Sequence, residues 1–428
     1  MTFNPFLSHE NHLMIGSYKV SDLADKYHTP LFIMDESLIR SKMRYFKDLF
    51  QSPLCKSQVI YASKAFLNLA MCQLVKEEGL FLDVVSGGEL YTAHKADFPM
   101  SHILFHGNNK SIEELQMAIE YGVGRIVVDN PTELNNLIQL IPNGKFVSIL
   151  LRVNPGIEAH THEYIATSKH DSKFGVSIFD SSTIDLIKLC VNEPKILFKG
   201  LHAHIGSQIL DGTSFVKEMN ILLDYVHQLH NVGITVDEIN MGGGFGVSYT
   251  KDDVEMDLAT TLPKILEYVG QRSQELGLKC PKIFIEPGRS IVANAGITVY
   301  NVGSVKTTHS QKKFVFVDGS MADHIRTALY QAQYEADLVD RMDEEKTHHY
   351  TIAGKACESG DILIHDCVLP EVRENDYLVV YSTGAYHYSM SSNYNRLQKP
   401  AVIFVNHDAV RLVSKRETYN DLLRNDCL

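Results

Sequence analysis

Several features on which a function could be built are missing from this sequence. It has no run of ~18 consecutive apolar residues, so no segment reads as a membrane-spanning helix. Its opening stretch, "MTFNPFLSHENHLMIGSYKV", lacks the basic and apolar regions of a secretory signal. Positive charge is in deficit: 40 lysines and arginines face 52 aspartates and glutamates, a net charge of −12. That balance argues against a nucleic-acid partner or an anionic membrane. The 7 cysteines are scattered and include no Cys-x-x-Cys, a pattern that fits free thiols in a reducing cytoplasm. Low-complexity tracts and linkers are also absent. What remains is a globular composition, 44% hydrophobic and 21% charged, over 428 residues, enough for two or three domains.

From residue 37 the chain repeats one unit: an amphipathic helix, a short turn and an apolar run of strand length. Strands are expected near 59–65, 80–86, 103–107, 125–129, 146–154, 197–205, 236–242 and 282–287. Helices are expected near 37–50, 67–79, 88–96, 111–121, 131–141, 181–192, 214–232 and 257–276. "SIEEL" at 111 carries a capping-box pattern, and several helices stop at a glycine, as at Gly122. Eight such units over about 250 residues predict an α/β fold, a parallel (β/α)8 TIM barrel. A doubly wound open sheet is the alternative. After residue 290 the pattern changes to β-rich segments between polar turns, such as "KKFVFVDGS" and "AVIFVNHDAVRLV", which read as a C-terminal antiparallel β-domain. Two strand-like runs within the first 35 residues are candidates to join it. The expected domains are therefore a barrel over 36–288 and a β-domain made of 1–35 and 289–428.

A barrel of this kind works at the C-terminal ends of its strands. There the sequence places Lys64, Asp83 with Ser86, Arg152, His204 with Ser207, Gly242, Gly243 and Gly244, and Glu286 with Arg289. Each alone has a bland reading: a salt-bridged lysine, a core histidine, a glycine loop. Together they suit an aldehyde cofactor. A lysine withdrawn from water at a strand end favours Schiff-base formation. The glycine run and Ser207 offer hydrogen bonds to a phosphate, Glu286 can keep a pyridine nitrogen protonated, and His204 can stack on the ring. These are the parts of a pyridoxal 5'-phosphate site.

"YASKA", "LDVVSGGELYTA", "HGNNKS", "LRVNPG", "HAHIGSQ", "GGGFG", "EPGRSIVANAG", "HIRTALY", "CESGD" and "GAYHYSMSSNYN" follow one another in the order found in diaminopimelate decarboxylases. The chain resembles that family over about residues 15 to 420. These are fold-type III pyridoxal-phosphate enzymes related to alanine racemase and ornithine decarboxylase. The resemblance implies a homodimer with shared active sites that converts meso-diaminopimelate to L-lysine and carbon dioxide. It gives Lys64 the covalent link to the cofactor and His204 the stacking role. Asp83 and Arg152 would belong to the cofactor site. Ser207, Gly243, Gly244, Gly288 and Arg289 would hold the phosphate, with Glu286 on the pyridine nitrogen. Tyr386 would touch both cofactor and substrate. Arg289, Arg326 and Tyr330 would bind the distal carboxylate, Glu358 the distal amine, and Cys357 would be the proton donor. The chain departs from the common pattern in small ways: Ser320 and His387 stand where glycine is usual or frequent, and "YASKAF" replaces "YAVKAN".

Other readings remain open at this point. Decarboxylation of ornithine, arginine or a carrier-tethered amino acid is the alternative, and the pair Arg289 and Arg326 argues for a second carboxylate instead. A racemase would carry arginine in place of Glu286. A non-catalytic relative would be expected to lose Lys64 or Cys357. A metal enzyme using His160 and His162, or His348 and His349, lacks an evident third ligand nearby, so no metal is expected.

Overall fold

The computed structural model describes residues 4–157, 173–254, 256–407 and 409–428; His160 and His162 fall outside them. The chain divides into two compact units, one of residues 42–246 and 256–288, the other of residues 1–41, 247–255 and 289–428.

The first unit is built on strands β1 (Ser57–Ala62), β2 (Phe81–Val84), β3 (Ile103–Phe105), β4 (Arg125–Val128), β5 (Val147–Asn154), β6 (Ile196–His202), β7 (Glu238–Asn240) and β8 (Lys282–Ile285). All neighbours are parallel, β4 pairs with β5, and β8 returns to β1, so the eight strands close into a barrel. A short strand, Val176–Ser177, adds to β5 from outside the ring. Closure explains the composition of the strands: both faces are covered, so apolar residues run on with little alternation. Ile60, Leu104, Val127, Leu150 and Phe284 fill the interior. Burying each such side chain stabilises the unit by about 1.5–3 kcal/mol.

The connecting helices begin and end where the sequence signals them. Ser111 and Glu114 form the reciprocal capping box of helix Ile112–Tyr121, and Gly122 ends it at φ +70°. At the seam Ile283 pairs with Ser57 and Ile285 with Val59, which fixes the register of the whole ring.

In the second unit seven strands form one sheet in the order Ile362–Leu369, His348–Ala353, Lys313–Val317, Gly296–Thr307, Leu31–Asp35, Ala401–Asn406 and Ala409–Ser414. A branch through Tyr377–Val380 and Ala336–Leu338 also starts from Gly296–Thr307. Its core includes Ile33, Ile297, Val299, Val379 and Ile403. The sequence predicts an antiparallel sheet, and most pairs are antiparallel. Two are parallel: Lys313–Val317 with His348–Ala353, and Leu31–Asp35 with Ala401–Asn406. Strand order is set by long connections, which an alternation pattern does not encode. Of the two early strand-like runs, "PLFIMD" joins this sheet. His12–Ile15 instead forms a small three-stranded sheet with Leu7–His9 and Tyr18–Lys19.

Candidate active site

Beyond Ala62 the chain leaves β1 in a single 3-10 turn, Ser63–Ala65. The turn is fixed from two sides. The Ser63 main-chain N–H donates to Asp83 Oδ1 at 2.9 Å, and its hydroxyl donates to Glu89 Oε2 at 2.9 Å. Ser63 and Ala65 are buried, yet Lys64 between them is exposed. The expectation of a desolvated lysine is therefore corrected: the turn lifts the ammonium out of the strand into water, while its neighbours anchor the backbone. Burial pushes the Asp83 carboxyl well above the usual range, helped by the nearby Glu286 charge; Lys64 and the Ser63 N–H oppose it.

Glu286, just past β8, is the centre of a buried polar group. Asn240 at the end of β7 donates to Oε1 at 2.7 Å. His106 Nε2 lies 2.8 Å from Oε1, and His202 Nε2 lies 3.3 Å from Oε2. Burial alone would push this carboxyl up; the contacts with His106 and His202 hold it well below the usual range instead. Burial also holds both imidazoles down, His202 to about 3. Glu286 is therefore a carboxylate hydrogen-bonded by Asn240 and His202, with the His106 ring close beside it, a charge satisfied without a full counter-ion. His204 is likewise kept neutral, well below its ordinary value, by burial first and then by the positive charges of Lys64 and Arg152. Arg152 stacks its guanidinium on Phe174, 4.2 Å from the ring centre.

The glycine run has a steric cause. A Cβ at Gly242, φ +69°, would sit 2.8 Å from His204 Nδ1; one at Gly244, φ +102°, would sit 2.2 Å from the Gly206 carbonyl, next to Ser207. At Gly243 a Cβ would strike the Glu286 carbonyl at 2.1 Å. The backbones after β6, β7 and β8 therefore approach one another closely, as a phosphate cradle requires. Gly288 is closed in the same way by Ala62, whose Cβ would lie 2.8 Å off.

In the second unit the structure brings Arg289, Arg326 and Tyr386 together. The Tyr386 ring, held at φ +62°, faces both guanidiniums, 4.7 Å from Arg289 and 5.5 Å from Arg326. Arg289 Nη1 donates to the Tyr249 hydroxyl at 2.5 Å and Arg326 Nε to the Tyr334 hydroxyl at 2.9 Å. Tyr330 lies under the Arg326 guanidinium at 5.0 Å. Behind them His387, the departure from the family pattern, is fully buried with its ring 4.6 Å from His324. Ser320, the other departure, carries no backbone penalty, because it is absent from the positive-φ residues. It starts a turn instead, its hydroxyl accepting the Ala322 N–H at 3.0 Å.

Cys357 and Glu358 stand apart from that group. Both are exposed, in the turn between His348–Ala353 and Ile362–Leu369. Asp361 braces the turn by accepting N–H groups from Met321 and Ala356, and Asn395 accepts the Cys357 N–H at 2.7 Å. His348 and His349 are engaged elsewhere, with Lys313 and Asp366.

Sequence reasoning missed His106, His202, Asn240, Tyr249 and Tyr334. The first three did carry a signal: each sits at or just past a strand end, on β3, β6 and β7. The two tyrosines carried none, since their role comes only from tertiary contact with the arginines. His106, His202 and Glu286 each bring a potential ligand atom within 4.8 Å of the others.

A family model described as "Pyridoxal-dependent decarboxylase, pyridoxal binding domain" matches residues 36–293. The chain is 49% identical over 417 residues to the diaminopimelate decarboxylase of Bacillus subtilis (strain 168), covering 97% of this chain and 95% of that protein. Among solved structures, diaminopimelate decarboxylase from M. jannaschii superposes with a TM-score of 0.93 at 32% identity, covering 99% of this chain and 98% of the other. The same enzyme in co-complex with L-lysine gives 0.92 at 32% identity, covering 100% and 99%.

Proposed function

Because the chain belongs to the pyridoxal-dependent decarboxylase family, we propose that it removes one carboxylate of meso-2,6-diaminopimelate as carbon dioxide and releases L-lysine. It is a carbon–carbon lyase of the carboxy-lyase type, and the reaction is the last step of lysine biosynthesis. The observation that carries the reading is Glu286, kept anionic by His106, His202 and Asn240 at the barrel's working end. An anion there suits a protonated pyridine nitrogen. The rest of the donor set fits pyridoxal 5'-phosphate as well: an exposed primary amine for its aldehyde, a neutral imidazole for its ring, and a glycine backbone for its phosphate. When bound, the cofactor supplies an electron sink for the bond that loses carbon dioxide.

The chain's own residues take the following parts. Lys64 is the covalent anchor, Glu286 holds the ring nitrogen protonated, and His204 supplies the stacking face. Ser207, Gly243, Gly244, Gly288 and Arg289 hold the phosphate, with Asp83 and Arg152 completing the cofactor site. Arg289, Arg326 and Tyr330 bind the distal carboxylate by charge-assisted hydrogen bonds. Glu358 takes the distal amine, Tyr386 lies against cofactor and substrate, and Cys357 Sγ delivers a proton to the carbon that lost its carboxylate. The barrel of 36–288 thus carries the cofactor, and the β-domain of 1–35 and 289–428 supplies the remaining groups and the dimer interface.

The enzyme works in the cytoplasm as a homodimer whose two active sites are each completed by the other protomer. The exposure of Cys357 and Glu358 on their braced turn supports that assignment. The net charge of −12 supports a small-molecule substrate and no nucleic-acid partner. Among the described residues no helix is long and apolar enough to cross a membrane. The test is carbon dioxide release from a panel of meso-diaminopimelate, ornithine, arginine and lysine, with the product identified by mass. Release from the first alone, with L-lysine formed, is the expected result; faster release from a monocarboxylate would overturn the substrate assignment.

A further inference from the structure

At the opposite end of the barrel from Lys64, the seam that closes the ring carries two cysteines. Cys55 lies two residues before β1 and Cys280 two residues before β8. The strands pair with Ile283 beside Ser57, and the Ile283 N–H donates to the Lys56 carbonyl at 2.9 Å. The two chains therefore enter the barrel side by side, which brings Cys55 and Cys280 to neighbouring positions on adjacent chains. Their surroundings differ. Cys55 is only 5% exposed, with Sγ reaching the Leu266 carbonyl at 3.6 Å. Cys280 is half-buried, with Sγ reaching the Pro281 carbonyl at 3.6 Å. Cys72, Cys190 and Cys367 are buried.

We propose that Cys55 and Cys280 are a redox dithiol, closed by hydroperoxides into a disulfide that fastens the first barrel strand to the last. Cys280 is the attacking sulfur, being the more accessible of the two, and its thiol is held down at about 7, chiefly by the neighbouring Cys55. Its thiolate takes the outer oxygen of hydrogen peroxide; the O–O bond breaks, hydroxide leaves, and Cys280 becomes a sulfenic acid. Cys55 is pushed up in the reduced pair by the neighbouring Cys280 and by burial. Oxidation of Cys280 removes its thiolate charge, so Cys55 can lose its proton and attack the sulfenic sulfur. An S–S bond forms and water leaves. Two thiols have then lost two electrons and two protons, and one peroxide has become two waters.

The bond would close a loop of about 225 residues and restrict the unfolded chain accordingly. It joins strands that are already paired, so its effect falls on the stability of the ring and not on the site at the other end.

The experiment treats the holoenzyme with equimolar hydrogen peroxide and maps the thiols by mass under non-reducing conditions. The expected result is one cross-linked pair of peptides bearing Cys55 and Cys280, lighter by two hydrogens and separated by dithiothreitol. The thermal midpoint should rise by roughly 5 °C or more. In Cys55→Ser the sulfenic acid should persist on Cys280 and be captured by dimedone. In Cys280→Ser, which alters only the half-exposed partner, Cys55 should take no label and the midpoint should not respond. Two unmodified thiols after treatment, or a linkage through another cysteine, would overturn the proposal.

Discussion

The two units hold their chemistry in opposite ways. In the barrel the polar groups near Glu286 are held by neighbours from other elements: Asn240, His106 and His202 meet one carboxylate, and Ser63 ties the Lys64 turn to Asp83 and Glu89. In the β-rich unit two arginines are buried against tyrosines, while Cys357 and Glu358 are left in water on a turn whose backbone is fixed. A pre-organised site stabilises charge because its dipoles do not have to move. The barrel meets that condition by itself. The turn instead fixes its backbone and leaves Cys357 and Glu358 exposed, with Glu358 touched by the Tyr394 hydroxyl at 3.3 Å.

Mixing dead variants breaks or sustains this contrast most sharply. Lys64→Ala alone should lose at least about 10⁴-fold in turnover and the visible absorbance of the bound cofactor, since the anchor is gone. A borohydride-reducible adduct that survived would show that another lysine serves. Unfolded together with inactive Cys357→Ala and refolded, it should recover about a quarter of the wild-type activity, because about half the dimers are hybrids with one intact site. A mixture as inactive as its parents would mean that each site is built within one chain. Glu286→Gln removes the barrel's anion with little change of shape, and kcat should fall about 10²–10³-fold, read from initial rates of carbon dioxide release.

Arg326→Ala probes the other side. KM for meso-diaminopimelate should rise about 10–100-fold with cofactor titration unchanged, if the guanidinium binds one end of the substrate by a charge-assisted contact. Unchanged kinetics would remove Arg326 from the substrate site. The smallest effect concerns two buried histidines. His202 and His324 are both pushed down to about 3 by burial, but His202 faces a carboxylate, whereas His324 has Arg326 nearby and, among the described residues, no hydrogen-bond partner on either ring nitrogen. A histidine lowered in the folded state favours folding above its unfolded value near 6.5, and this stability is lost as pH falls towards 3. His324→Phe removes that loss. Between pH 6 and 4 the variant should gain on the wild type by about 1.4 kcal/mol per unit in urea unfolding; parallel pH curves would show that His324 titrates normally.

How much of this was legible in the sequence depends on whether a group acts where its strand ends. Lys64, Asp83, Glu286 and the glycine run could be found by counting strands, since a barrel delivers strand ends to one rim. His106 and Asn240 obey the same rule and were passed over because a lone histidine or asparagine has many bland explanations. The exposure of Lys64 was not legible: the 3-10 turn that lifts it depends on Asp83 and Glu89, which reach Ser63 from later in the chain. The two parallel pairs of the β-rich sheet were hidden for a similar reason. Alternation tells which face of a strand is buried and says nothing of its neighbour.

The pairing of Leu31–Asp35 with Gly296–Thr307 and Ala401–Asn406 sets an order on biosynthesis. The barrel has all its strands once residue 285 is made, but "LFIM" at 31–34 has no sheet to join until residue 296 and beyond has left the ribosome. At ~5–20 residues per second, the roughly 260 residues between them take about 13–50 s. Through that interval an apolar strand with two open edges waits at the front of the nascent chain, a ready template for aggregation. Slowing translation within the barrel should therefore lower soluble yield more than slowing it within the final strands.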